Sequence, residues 1–157
     1  YLQVGQGSNY FLVEHNESSD VARVRLKVDT TSARSIIHLS NPNGNIGSIT
    51  TDGSSTSYNT SSDYRLKENV TAISDGITRL KTLKPYRFNF KAAPDTTIDG
   101  FFAHEVTAVP EAISGQKDAV EEDGSIKPQG IDQSKLVPLL VAAVQELITK
   151  VETLEAA

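Results

Sequence analysis

The stretch Ser61-Ser62-Asp63-Tyr64-Arg65-Leu66-Lys67-Glu68-Asn69-Val70 divides the chain into two halves with different physics. Just before it, residues 40–62 read SNPNGNIGSITTDGSSTSYNTSS, in which Ile46, Ile49 and Tyr58 are the only large apolar side chains. So little apolar surface cannot offset the entropy of ordering the chain, so the segment is either disordered or ordered by neighbouring chains. Further upstream, Val24, Leu26 and Val28 alternate with Arg23, Arg25, Lys27 and Asp29, the period-2 pattern of a half-buried strand. Asn43-Gly44 and Asp52-Gly53 carry turn chemistry. Residues 1–61 therefore read as short strands and turns with too little core. Two architectures fit: a weak β-sandwich running into a flexible linker, or an intertwined β stalk whose apolar face is completed by symmetry mates. Beginning at Tyr1, the chain reads as a fragment of something longer.

From Asp63 onward the signals are those of an ordinary small α+β unit. Ser74 or Asp75 is placed to cap a short helix carrying Ile77, Leu80 and Leu83, which Pro85 stops after Lys84. Tyr86, Phe88 and Phe90 alternate with Arg87, Asn89 and Lys91 as a half-buried strand. A second strand is expected at Gly100-Phe101-Phe102-Ala103, leading into a short helical stretch with Val106 and Val109 that Pro110 limits. An acidic loop, Asp118 to Gly124, follows.

The last element has the clearest period. Val137, Val144 and Val151 recur every seven residues, as do Leu140, Leu147 and Leu154, which puts valine at heptad position a and leucine at d. The pattern predicts a long helix over about 133–155 that is either a coiled-coil seam, where valine at a with leucine at d favours two strands over three in parallel coils, or a single amphipathic helix lying on a core. Leu136, Ala143 and Ile148 widen the apolar face, so the first half of the helix is expected to pack on its own domain as well. Pro138 requires the regular helix to start only a few residues earlier, around Asp132 to Lys135.

Composition removes several functional classes. The chain has 157 residues, a formal charge of -5 and no dense cluster of Lys and Arg, so neither a nucleic acid nor a membrane surface is an expected partner. No run approaches the roughly 20 apolar residues of a membrane span. Cysteine is absent, which excludes disulfides, thiolate metal sites and a cysteine nucleophile. His15, His38 and His104 are far apart without metal-ligand spacing, so no metal and no cofactor is expected. Glu121, Glu122 and Asp123 read as a solvated loop rather than the paired carboxylates of a glycan hydrolase.

A nucleophile remains in the dividing stretch. A serine hydroxyl reacts only when a base removes its proton, and Lys67, five residues after Ser62, is the local candidate. Such a lysine must be held neutral by desolvation or by a nearby cation, for which Arg65 is the local source. Residues i and i+5 lie on different faces of a helix and on opposite faces of a strand, so a Ser62–Lys67 contact requires a turn between them. Spacing by itself equally describes a solvated loop with a surface lysine.

The run Ser62-Asp63-Tyr64-Arg65-Leu66-Lys67-Glu68-Asn69-Val70 resembles the opening motif of the C-terminal intramolecular chaperone domains of phage tailspikes, tail fibres and neck appendages, of which endosialidase tailspikes are the best-known. Further matching segments follow in order: Leu83 to Phe90, Gly100 to Val106, Pro110-Glu111 and Ile131 to Leu140. The resemblance implies a homotrimer in which a core-poor, triple-β-helix stalk (1–61) is followed by an α+β chaperone domain (62–157). That domain would guide folding of the upstream fibre as its client and then release itself. It further implies Ser62 as nucleophile, Lys67 as base and the Ser61–Ser62 peptide bond as target, a serine endopeptidase acting once, in cis. Asp63, Arg65, Asn69 and Glu105 match the motifs without an assigned role, while His104 stands where the family has glutamine. Assembly would take place in the host cytoplasm, with the stalk retained in the virion and the chaperone lost. The receptor is left open. The competing expectation is a trimerisation foot or receptor-binding tip that is never cut.

Overall fold

The computed structural model describes residues 2–6, 9–16 and 21–157. They pack as two compact units, Tyr1–Val70 and Thr71–Ala157.

The first unit is made of two antiparallel meanders. β1 (Leu2–Gln6), β2 (Asn9–Asn16) and β3 (Val21–Lys27) form one sheet in chain order, with Phe11 opposite Leu26 and Val13 opposite Val24. The expected alternating strand is β3, which ends at Lys27, one residue before Val28. β4 (Arg34–Asn41), β5 (Gly44–Thr51) and β6 (Thr56–Thr60) form the second. Both expected turns fall between their strands. Gly44 takes a positive φ of 105° that closes the first, and Asp52 closes the second by accepting the Ser54 and Ser55 amides at 2.8 Å each.

Opposite residues of an antiparallel pair share a face, so this second sheet has two dissimilar sides. Ile37, Ile49 and Tyr58 form a cross-strand apolar row. The other side is a hydroxyl and amide network in which Thr50 meets Ser35 at 3.0 Å and takes a bond from Asn59 at 3.2 Å. Tyr58 is 79% exposed, and none of residues 24–70 is buried. That lack of a core is what the composition of residues 40–62 implied.

The second unit does have a core. Val106, Val109, Ala112, Leu136 and Leu139 are buried together, with Leu83, Phe101, Ile113 and Ile131 packed against them. The elements around it are α1 (Gly76–Leu80), the hairpin of β7 (Tyr86–Phe90) and β8 (Ala93–Gly100), the short ladder of β9 (Ile113–Ser114) with β10 (Gly130–Ile131), and α2 (Val137–Glu155). Sheets and helices in this arrangement bear out the α+β reading.

Two local expectations are corrected. The partner of β7 is Ala93–Gly100 rather than Gly100–Ala103, because the chain turns back after Phe90 and pairs Phe88 with Ile98 and Tyr86 with Gly100. Pro94, which has no N–H for a ladder, is accommodated because a register shift beside Phe90 removes it from the regular pairing. Val106 and Val109 are buried as core residues, but between two single 3-10 turns, Ala103–Glu105 and Pro110–Ala112, and not in a helix.

The regular part of the last helix begins at Val137, a little later than the Asp132 to Lys135 start expected from Pro138, because residues 133–136 form a 3-10 turn instead. Asp132 caps a 3-10 turn, Gln133–Leu136, by accepting the Ser134 amide at 3.1 Å, and Pro138 sits in the first turn of α2, where its missing N–H costs nothing. Leu136, Leu139, Ala142 and Ala143 face inward and are buried. Ile148, expected to help pack the domain, is half exposed on the opposite side.

Candidate functional site

The site begins where β6 ends. The Ser61 amide donates to the carbonyl of Ile46 at 3.0 Å, which ties the residue before the expected scissile bond to β5. The chain then enters a single 3-10 turn, Tyr64–Leu66, closed by Leu66 N–H to Asp63 O and Lys67 N–H to Tyr64 O, both at 3.1 Å. This is the irregular step that an i to i+5 contact demands. It carries the Lys67 side chain back over the start of the turn, where its Nζ donates to Ser62 Oγ at 2.8 Å.

Asp63 holds the turn at its beginning. Its Oδ1 accepts the Arg65 amide at 2.9 Å, the side-chain cap that satisfies an otherwise orphaned donor. The Arg65 guanidinium also grips both carboxylate oxygens, Nε to Oδ1 at 3.0 Å and Nη2 to Oδ2 at 2.6 Å. These side-chain bonds, followed by the bond from the Arg65 amide, hold the Asp63 carboxyl below its ordinary range, and the nearby Lys67 ammonium adds to the lowering. Asp63 in turn raises the Arg65 guanidinium. Arg65 is thus committed to Asp63 rather than standing as a free cation beside Lys67. Asn69 takes a left-handed conformation, φ 53°, which asparagine tolerates better than most residues, and redirects the chain after the turn.

The turn is open to solvent. Ser62 and Lys67 are exposed, as are the apolar side chains around them, Tyr64 at 81%, Leu66 at 74% and Val70 at 80%. A protonated amine is well solvated there, and a lysine that is to act as base needs the reverse.

The other residues singled out from the sequence lie in the second unit. Glu105 accepts from the Tyr86 hydroxyl at 2.8 Å and from Lys84 Nζ at 3.4 Å. The tyrosine bond first, and then the lysine, hold the Glu105 carboxyl below its usual value. The ring of His104 stacks on Phe102 with centroids 6.1 Å apart. Both therefore have structural partners within their own unit. Along α2, Val137, Leu140, Val144, Leu147, Val151 and Leu154 are between 44% and 76% exposed, an apolar stripe turned away from the buried face.

Sequence reasoning missed Glu146. Its carboxylate accepts the backbone N–H groups of Gly76 and Ile77, the latter at 3.2 Å, and so caps α1 from a different helix. Neither Ser74 nor Asp75 does so; Asp75 occupies the cap position without a side-chain bond. A signal was present, since Glu146 is a charged residue on the inward side of an amphipathic helix, but its partner is 70 residues away.

Among the described residues no cluster of His, Cys, Asp and Glu is arranged to hold a metal ion, and no helix is long and apolar enough to cross a membrane.

A serine hydroxyl within hydrogen-bond reach of an amine is the arrangement in which a neutral amine can activate the hydroxyl as a nucleophile. Comparison with known families narrows this: residues 62–115 match the family model Peptidase_S74, described as chaperone of endosialidase. The match starts on Ser62, and over it the resemblance read from the sequence is borne out. No curated protein matches the chain.

Proposed function

We propose that residues 62–157 are an intramolecular chaperone of a phage fibre or tailspike, which trimerises, guides folding of the β-rich segment before it and releases itself by cutting between Ser61 and Ser62. The observation that carries this reading is the 2.8 Å contact of Lys67 Nζ with Ser62 Oγ, at the residue where the family match begins.

The chemistry follows from adjacency. Neutral Lys67 takes the proton of the Ser62 hydroxyl while Oγ attacks the carbonyl carbon of Ser61. The C–N bond to Ser62 breaks as the departing nitrogen takes a proton from Lys67, which leaves the Ser61 acyl group as an ester on Oγ. Water hydrolyses the ester to a Ser61 carboxylate and a free Ser62 hydroxyl. Nucleophile and electrophile are neighbours in one chain, so no substrate pocket is needed.

Assembly supplies what a single chain lacks. The stripe on α2 is the trimer seam, and the apolar row Ile37, Ile49 and Tyr58 is a stalk face completed by two further copies. Tyr64, Leu66 and Val70, exposed in the single chain, are further apolar side chains for assembly to cover. Cutting after assembly leaves the stalk without its template, so its persistence becomes kinetic. In this reading assembly takes place in the host cytoplasm, and the stalk alone enters the virion.

One observation favours the alternative, a foot or receptor-binding tip that is never cut. The packing division lies after Val70, so the dyad belongs to the same compact unit as the strands it would be separated from. A single gel decides between them. Wild type should yield fragments of 61 and 96 residues, the two sides of Ser61–Ser62 in a chain of 157, and Ser62→Ala one intact product. A wild type that stays intact under native folding conditions excludes the cleaving chaperone. Lys67→Ala cutting at the normal rate would remove Lys67 from the mechanism.

A further inference from the structure

Asp63 and Arg65 have no chemical step in the mechanism above, although they lie inside the turn that makes the dyad. We propose that their ion pair sets the charge around the dyad: by engaging both oxygens of Asp63, Arg65 prevents that carboxylate from pairing with Lys67 and holding its amine protonated. The inference rests on the autoproteolytic reading, and it makes Asp63 and Arg65 positioning residues rather than catalytic ones.

The geometry has three parts. Asp63 and Lys67 cap the two ends of one 3-10 turn, so an Asp63 carboxylate released by Arg65 has the flexible Lys67 ammonium as the nearby cation of the same turn. The Lys67 ammonium already contributes to holding Asp63 ionised, which places the two within electrostatic reach. Arg65 is better suited to the competition, because its planar fork meets both oxygens at once, at 3.0 and 2.6 Å, whereas an ammonium is a single point of charge. With Asp63 neutralised, Lys67 turns to the Ser62 hydroxyl. Among the described residues the charged group in electrostatic contact with Lys67 is Asp63, which Arg65 engages, and Glu68 follows it in sequence.

The test is the pH dependence of the cleavage rate in the full chain, for wild type, Arg65→Gln, Asp63→Asn and the double variant. Arg65→Gln releases the carboxylate, favours the ammonium and displaces the rate profile to higher pH, making cleavage about two- to fivefold slower at a given pH at low salt, the range of an exposed ion pair. Asp63→Asn keeps an acceptor for the cap but leaves Arg65 an unpaired cation, so its profile moves to lower pH. The double variant restores neutrality and returns to the wild-type position. Added salt shrinks both displacements.

A purely structural role for the pair would slow all three variants by a factor independent of pH, and that result overturns the proposal. So does an Arg65→Gln profile that coincides with wild type. In both cases wild type still cuts and Ser62→Ala does not, so the autoproteolytic reading stands. An uncut wild type sinks that reading and the proposal with it. Should Arg65→Gln fail to fold, the downward displacement expected of Asp63→Asn remains decisive.

Discussion

Replacing Gly76 by alanine should destabilise the second unit, although helix propensity alone predicts the opposite. Gly76 is the first residue of α1 and is buried where that helix crosses α2. A Cβ there would lie 2.5 Å from the Ala143 nitrogen, 2.8 Å from the Ala142 carbonyl carbon and 3.0 Å from the Ala142 Cβ. Ordinary contacts begin near 3.4 Å, and two of these atoms are backbone, so the whole of α1 must retreat by roughly an ångström. That movement stretches the bonds from Gly76 and Ile77 to the Glu146 carboxylate. Overpacking costs about 1–3 kcal/mol. Loss of a hydrogen bond to a charged acceptor costs about 1.5–3 kcal/mol. The gain from alanine in place of helical glycine is only about 0.5–1 kcal/mol. The net is a loss of about 2–5 kcal/mol, which lowers the Tm of a unit this size by roughly 8 °C or more. Thermal unfolding followed by far-UV circular dichroism, in a Ser62→Ala background at fixed protein concentration, measures it. Glu146→Ala should reproduce the hydrogen-bond part without the clash. A Gly76→Ala protein as stable as its parent, or more so, would refute the close approach of α1 to α2.

Charges at the seam should prevent assembly. Leu147→Glu with Leu154→Glu is expected to sediment as a monomer and to remain uncut, and cleavage by a demonstrated monomer would separate catalysis from trimerisation. Hydroxylamine present during wild-type cleavage should intercept the ester and leave a hydroxamate on Ser61, read by mass; a carboxylate alone would argue against an acyl shift. Acid should weaken the second unit partly through Glu105. Its folded carboxyl lies below the usual 4.5, so its contribution is present above that value and is lost as pH falls through the lowered one. Urea midpoints in Glu105→Gln should therefore fall less steeply below about pH 4.5 than in wild type.

What could be read from the sequence was local or periodic. The apolar stripe of α2, the turn capped by Asp132 before it and the alternation of Tyr86, Phe88 and Phe90 are patterns in which each residue's neighbours along the chain decide its environment. The dyad was half legible. Its residues were named from a motif, and their spacing required a turn, but the Asp63 cap and the commitment of Arg65 emerged only with the side chains in place. The tertiary structure settled what distant residues decide between them. Glu146 caps α1 across 70 residues, β8 takes the strand position that Phe101-Phe102 was expected to fill, and Val106 and Val109 are buried without a helix around them. Propensity and period describe a residue's relation to its neighbours in sequence, whereas a buried donor takes whichever acceptor the fold brings to it. The same distinction applies to Ser62 and Lys67: the sequence by itself determined that a hydroxyl and an amine stand five residues apart, and only the folded turn decided that they meet.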